Sequence, residues 1–268
     1  MTTLESVIIW LAIGGYAVAF ALELAGFVFK KDRLRAYGFG LAAAALAFHT
    51  LGFAVRWWLS GHIPVMGSYE NSLVSTWVIM AIYFSLCRFF PPSRPFSVVI
   101  IPVVLLMLGN GLMVGSDIHP LEPPFRSNWL YIHIMFSWFA FAPWVAAFAA
   151  GLMYLVKDRP ETAIEGRTHE LKLLEELSLR LILFGFFADA IGVGSGAIWA
   201  KSLWGRYWSW DPLETWALIT WLIYGLNLHL RLTYGWRGRK AAWLAVLSLC
   251  CVGISFSVGF VSVHTGIL

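Results

Sequence analysis

Residues 199–216, WAKSLWGRYWSWDPLETW, place Trp199, Trp204, Tyr207, Trp208, Trp210 and Trp216 within 18 positions. Tryptophan favours membrane interfaces, but an interfacial belt spreads aromatics over all helix ends. Here they crowd into one segment. Such a set suits a flat aromatic platform, on which a planar, largely apolar macrocycle gains dispersion and stacking energy. Gly205 lets the backbone turn closely beneath it. Arg206, inside the same run, is the cation best placed to pair with acidic groups of a ligand. Asp211-Pro212-Leu213-Glu214 reads as N-cap, N1, N2 and N3 of a following helix, a capping box with proline at its preferred place. Asp211 then orients the loop indirectly.

Seven histidines accompany this segment. His133 lies about one turn inside the outer end of an apolar span, in WLYIHIMFSW, and His264 lies at the outer end of another, in VSVHTGIL. The topology below puts both at the level of the tryptophan segment, although 131 residues separate them. Neutral imidazole is a standard metal ligand, and two at one level could hold one ion from opposite faces. Interfacial hydrogen bonding to lipid or water explains them equally well from position alone. His229 falls ~26 Å along its helix from Pro212, too far to serve the same ligand as His133. Its alternative is a snorkelling or hydrogen-bonded role near Asn227 and Arg231. His49, mid-membrane, reads as structural; His62 and His119 as loop residues; His169 as inert. The intramembrane carboxylates Glu23 and Asp189 are functional candidates by default, and Asp189 could pair with His49 or His229. Arg56, Arg126, Lys201 and Arg206 are the outer cations. GVGSG at 192–196 lacks a P-loop lysine and reads as close helix packing.

These residues need membrane-spanning elements to position them. The chain of 268 residues is 59% apolar and 13% charged, with a mean hydropathy of +0.73. A soluble fold this apolar could not cover its surface. Eight long apolar segments run roughly 5–29, 36–59, 71–90, 97–115, 129–156, 177–199, 212–231 and 241–263. Each is long enough to cross a core about 30 Å thick, and single spans in lipid must be helical to satisfy their amides. The expected fold is therefore all-α: a polytopic bundle of eight transmembrane helices, read as one domain over 1–268, with a tryptophan-rich outer loop at about 199–216. Pro143 should kink the long fifth span.

Of 19 basic residues, 15 flank one set of loops, after spans one, three, five and seven. The positive-inside rule puts these in the cytoplasm, and both termini and the tryptophan loop outside. The charged 157–176 loop is a solvated cytoplasmic helix or turn. The first apolar run, with no basic region before it, reads as a retained span rather than a cleaved signal. The net charge of +4 comes from these loops and gives no reason to expect nucleic acid. Cys87, Cys250 and Cys251 form no C-x-x-C pair, which argues against thiol–disulfide work, a zinc site or self-attachment of a cofactor.

The run WGRYWSWDPLETWALITWL resembles the tryptophan-rich "WWD" signature of haem-handling proteins in cytochrome c biogenesis. Its W-G-x-Y-W-x-W-D-P-x-E-T-W-A-L form is closer to the CcsA (ResC) family than to CcmC or CcmF. The 49–70 segment, HTLGFAVRWWLSGHIPVMGSYE, and the histidine placement are also CcsA-like. Leu213 departs from the pattern, many relatives carrying lysine there, so a charge contact at that position is not carried over.

The resemblance implies a set of expectations. Haem b is held at the outer face, with His133 and His264 as iron ligands flanking the loop and Trp204, Trp208, Trp210, Asp211 and Arg206 at the cofactor. His229 ligates a second haem within the membrane, whose other ligand comes from a CcsB (ResB)-like membrane partner. The implied activity is delivery of haem across a bacterial cytoplasmic or thylakoid membrane. Haem is then presented for thioether attachment to the C-x-x-C-H of apocytochrome c, in a system II holocytochrome c synthase with CcsB. No catalytic acid or nucleophile in the chain is required; positioning and control of the iron's redox state are the main contributions. Haem export without synthase activity, a non-haem assembly subunit and a transporter of another apolar solute are the alternatives.

Overall fold

A computed structural model describes the backbone of residues 1–158 and 165–265 and the side chains of 1–158 and 169–253. Among the described residues there are eight α-helices and no strand. The helices are α1 (Thr3–Val28), α2 (Asp32–Ser60), α3 (Gly67–Phe89), α4 (Ser97–Val114), α5 (Asn128–Lys157), α6 (Glu165–Trp204), α7 (Pro212–Leu232) and α8 (Arg239–Thr265). Short 3-10 turns at Pro91–Phe96 and Pro123–Phe125 precede α4 and α5.

Six helical stretches among the described residues are long and apolar enough to cross a membrane: α1, α2, α3, Pro91–Val114, α5 and His169–Trp204. The chain is thus an all-helical membrane protein. The turn at Gly61, with φ 70°, ends α2 in the left-handed conformation glycine tolerates.

The helices form two compact units, Met1–Pro123 and Pro124–Leu268. In the N-terminal unit α1 packs along α2 and α4, and α3 along α4. Thr2 and Glu5 close a capping box on α1, Glu5 N donating to Thr2 Oγ1 (3.3 Å) and Thr2 N to Glu5 Oε2 (3.4 Å). Glu5 also meets Arg56, at 3.5 Å, and accepts from the Tyr69 hydroxyl at 2.9 Å. Arg56 is 1% exposed and donates to Glu70 (2.8 Å), Ser116 O (2.8 Å) and Asp117 O (2.6 Å). One guanidinium thereby joins α1, α2, α3 and the segment after α4. Arg56, grouped from the sequence with the outer cations, is not available to a ligand: two buried carboxylates and two carbonyls occupy its donors.

In the C-terminal unit α5 packs along α6 and α8, and α7 lies against α8 and α6. Helix α6 begins at Glu165, so the charged 157–176 segment is in large part helical, one of its two expected forms, and runs unbroken into the sixth span; that span differs from the sequence reading in running on to Trp204 rather than ending at 199. Trp199 and Trp204 therefore stand on a helix end, and the connection itself is only Gly205–Asp211. The reason is local: AKSLW contains no breaker, and Gly205, at φ 73°, is the first residue that ends the helix cheaply.

Candidate functional site

Trp204, Tyr207 and Trp210 project outward, 60%, 58% and 70% exposed. Trp199 and Trp204 meet edge to face, ring centres 5.8 Å apart at 63°. Trp208 and Trp210 do the same, 5.8 Å apart at 82°. The segment is thus two edge-to-face pairs rather than the flat shelf expected from composition, as the indole quadrupole prefers. Trp199 is tied to the entry of α5: its Nε1 donates to Pro124 O at 3.0 Å, and its ring tilts against Phe125. Trp208 is half-buried, and its Nε1 is buried with no hydrogen-bond partner among the described residues. Arg206 is exposed and makes no ion pair among them; Lys201 instead lies over the Tyr207 ring and donates to Gly205 O.

The start of α7 fixes this loop. Asp211 is the N-cap, accepting from Glu214 N at 2.8 Å, with Pro212 next, as the sequence implies. The reciprocal half of the capping box expected from the sequence is not made; the Glu214 carboxylate reaches past Asp211 N to the two residues before it. Its Oε2 accepts from Ser209 N (2.6 Å), Trp210 N (2.9 Å) and Ser209 Oγ (3.1 Å). Between these anchors Trp210 sits at φ 61°, a left-handed conformation costly for a bulky side chain. Backbone strain of this kind persists only where surrounding structure over-determines it. Here the Glu214 carboxylate does so and aims the Trp210 indole outward.

His133 projects from the first turns of α5 onto α6. Its Nδ1 lies 2.7 Å from Gly192 O. A carbonyl oxygen only accepts, so Nδ1 carries the proton and Nε2 keeps its lone pair. Gly196, one turn on, leaves the ring its space: a Cβ there would stand 2.7 Å from His133 Nδ1 and 3.0 Å from Cε1. Ser137 Oγ donates back to His133 O at 2.8 Å. Gly192, Gly196 and Trp199 follow at helical spacing, so one face of α6 both orients the imidazole and starts the indole cluster. The GVGSG stretch is helix packing, as read, and its packing partner is the histidine.

His229 is exposed near the far end of α7. Its Nδ1 is 3.2 Å from Thr233 Oγ1, and Tyr234 meets it edge to face at 5.4 Å. It does not bond Asn227 or Arg231, which face inward. The side chain of His264, on α8, lies outside the described residues.

Two of the remaining histidines, His49 and His62, have structural employment. His49 is fully buried; Nε2 donates to Leu73 O at 3.0 Å, which leaves Nδ1 to accept from the Tyr16 hydroxyl at 3.3 Å. Both nitrogens are used within the N-terminal unit, and neither meets a carboxylate. His62 sets both nitrogens against carbonyls, Ile63 O at 2.8 Å and His119 O at 3.1 Å, linking two loops.

Comparison with known proteins decides the family. Residues 65–265 match the family model described as Cytochrome C assembly protein. The chain belongs to the cytochrome c assembly protein family. Among its relatives is a cytochrome c biogenesis protein CcsA of Guillardia theta, 33% identical over 263 residues, covering 86% of each chain. Another is the CcsA of Synechococcus sp. (strain CC9902), 33% identical over 250 residues and 81% of each chain. Membership assigns the chain a part in cytochrome c maturation. The solved cytochrome c haem lyase CcmF superposes with a TM-score of 0.74 at 18% identity, over 98% of this chain and 49% of that one. The chain thus spans about half of that structure and shares its fold.

The matched residues take in His133, the tryptophan segment, His229 and His264, and leave out α1 and α2. Sequence reasoning missed Gly192 and Gly196 as the seat of His133, and Glu214 as the organiser of Trp210. A glycine pair four apart on the helix facing a lone histidine was the available signal for the first; for the second there was none beyond the capping pattern.

Proposed function

We propose that the chain spans the membrane eight times, α7 and α8 completing the six apolar stretches, as a single haem-handling domain with both termini and the tryptophan loop outside. It holds haem b at this outer face and presents it to apocytochrome c. The observation that carries the reading is the His133–Gly192 bond, which fixes the tautomer whose Nε2 can ligate iron. Such an outer-sphere hydrogen bond from the second ring nitrogen is the common accompaniment of a metal-bound histidine. The unpartnered Trp208 Nε1 and the exposed Trp204 and Trp210 fit a ligand with polar edges and apolar faces.

In this reading His133 and His264 would hold the haem iron. Trp204, Trp208 and Trp210 support the ring, Arg206 pairs with a propionate, and Asp211 with Glu214 holds the loop. His229, exposed on α7, ligates a second haem with a residue of a CcsB-like partner. Haem bound at the outer face supplies the vinyl groups to which the thiols of a C-x-x-C-H segment add. The chain contributes orientation and restricted solvent access, and no residue of it needs to give or take a proton in that addition.

Haem export alone is the reading to separate from synthesis. Purified protein, together with its partner, is incubated with reduced haem and a C-x-x-C-H peptide, and covalent haem–peptide is read by mass spectrometry. Thioether product in the wild type, lost in His133→Ala, supports the synthase role. Haem binding without product at any partner concentration restricts the chain to delivery. A colourless protein that still supports maturation marks a non-haem assembly subunit.

A further inference from the structure

Helix α7 turns its polar residues inward and its leucines outward. Its buried residues include Thr220, Tyr224, Asn227 and Arg231, at helical spacing along one face, while Leu222 and Leu226 on the other side are 53% and 55% exposed. The polar face points into the C-terminal unit. At its lower end Arg231 donates to Ser178 Oγ (3.3 Å) and Glu175 O (2.8 Å), beside a small cavity also lined by Tyr154 and Gly238. Above it, Asn227 Nδ2 donates to Ser248 Oγ at 3.0 Å. Higher still the Tyr224 ring stacks on Trp144, ring centres 3.7 Å apart and nearly parallel at 6°.

Three polar atoms here, two on α7 and one on α5, have no partner among the described residues: the Tyr224 hydroxyl, Asn227 Oδ1 and Trp144 Nε1. Their residues are 1%, 1% and 3% exposed. Two can donate and two can accept. Nothing in hydrocarbon relieves a buried polar atom, so unmet groups in a membrane bundle mark a missing partner.

We propose that this face of α7 binds a chain of ordered water that bridges Trp144 Nε1, Tyr224 OH and Asn227 Oδ1 and extends toward the Arg231 cavity. Water is the ligand class that fits, because the unmet groups alternate donor and acceptor character and a bridging water needs two to four such partners. The seam does not touch His133 or the indole loop and stands independently of the haem reading. It gives the unit a hydrated polar interior reaching from Arg231 to the level of Tyr224.

Millisecond hydroxyl-radical footprinting of the full chain in nanodiscs tests this, because radicals formed from bound internal water label adjacent buried side chains. Labelling of Tyr224 and Trp144, normalised to each residue's reactivity in the denatured chain, is expected well above that of Phe96, buried in an apolar core. In Asn227→Leu, labelling of Tyr224 is expected to fall toward the Phe96 level. Wild-type Tyr224 and Trp144 protected as fully as Phe96 would overturn the proposal without recourse to any variant. Labelling unchanged in a folded Asn227→Leu protein would overturn the bridging role of Asn227.

Discussion

His133 donates its Nδ1 proton to the carbonyl oxygen of Gly192 over 2.7 Å. That single bond chooses a tautomer, orients a ring and leaves Nε2 for a metal. It also makes α6, through residues with no side chain, responsible for the position of a candidate ligand on α5.

Substitution of Gly196 by alanine should therefore act on haem without touching it. The added methyl would stand 2.7 Å from His133 Nδ1 and must displace the imidazole. The expected loss in haem affinity is about tenfold, the lower end of what disturbing the hydrogen bond that orients a metal-bound histidine costs. Gly194→Ala is the control, because a Cβ there meets nothing within 4 Å. Haem content by pyridine haemochrome compares the two; equal content in both variants would contradict the seating role of Gly196.

Glu214→Ala should release the loop. It removes the acceptor of three hydrogen bonds from Ser209 and Trp210 and leaves Trp210 in its left-handed conformation without support. Strain of about 1–3 kcal/mol held at such a residue is then free to relax. Amide hydrogen exchange across 205–211 should quicken by roughly tenfold or more, each 1.4 kcal/mol being a factor of ten. Glu214→Gln, which keeps an acceptor oxygen, should fall between. Unaltered exchange in Glu214→Ala would show that the loop is held by something else.

Arg56→Ala should be among the most damaging substitutions in the N-terminal unit. It strands the Glu5 and Glu70 carboxylates in a site where both are fully buried, and breaking a buried pair costs about 3–5 kcal/mol. Thermal unfolding in detergent should show it, and Arg56→Met combined with Glu5→Gln and Glu70→Gln should recover part of the loss by removing the charges together. A single Arg56→Ala variant as stable as wild type would refute the network.

Tyr16→Phe and His49→Ala distinguish structure from haem handling. Tyr16→Phe removes one buried hydrogen bond to His49, worth about 1 kcal/mol, more if Nδ1 is left unmet. Both variants should lower thermal stability and leave the haem spectrum unmoved. A spectral change in either would restore His49 to the haem path.

Much of this was legible in the chain itself. The apolar runs gave the helices because lipid allows single spans no other form. Asp211-Pro212 marked the start of α7 because capping chemistry is local. What could not be read depended on long-range contacts. Arg56 looked like a surface cation because Glu5 and Glu70 are remote in sequence. The flat shelf became two edge-to-face pairs because ring angles depend on the backbone turn at Gly205 and Trp210. Helix α7 was read as an ordinary span, since Thr220, Tyr224, Asn227 and Arg231 reveal their common inward face only when their neighbours are in place.

The central claim is that His133 and His264 ligate one iron at the tryptophan loop. Absorption and electron paramagnetic resonance spectra of haem co-purified with the wild-type chain, His133→Gly and His264→Gly, each with and without millimolar imidazole, test it most directly. A low-spin bis-histidine signature is expected in the wild type, lost in each variant and restored by imidazole. The same signature persisting in both variants, or a wild-type protein that carries no haem, would contradict it.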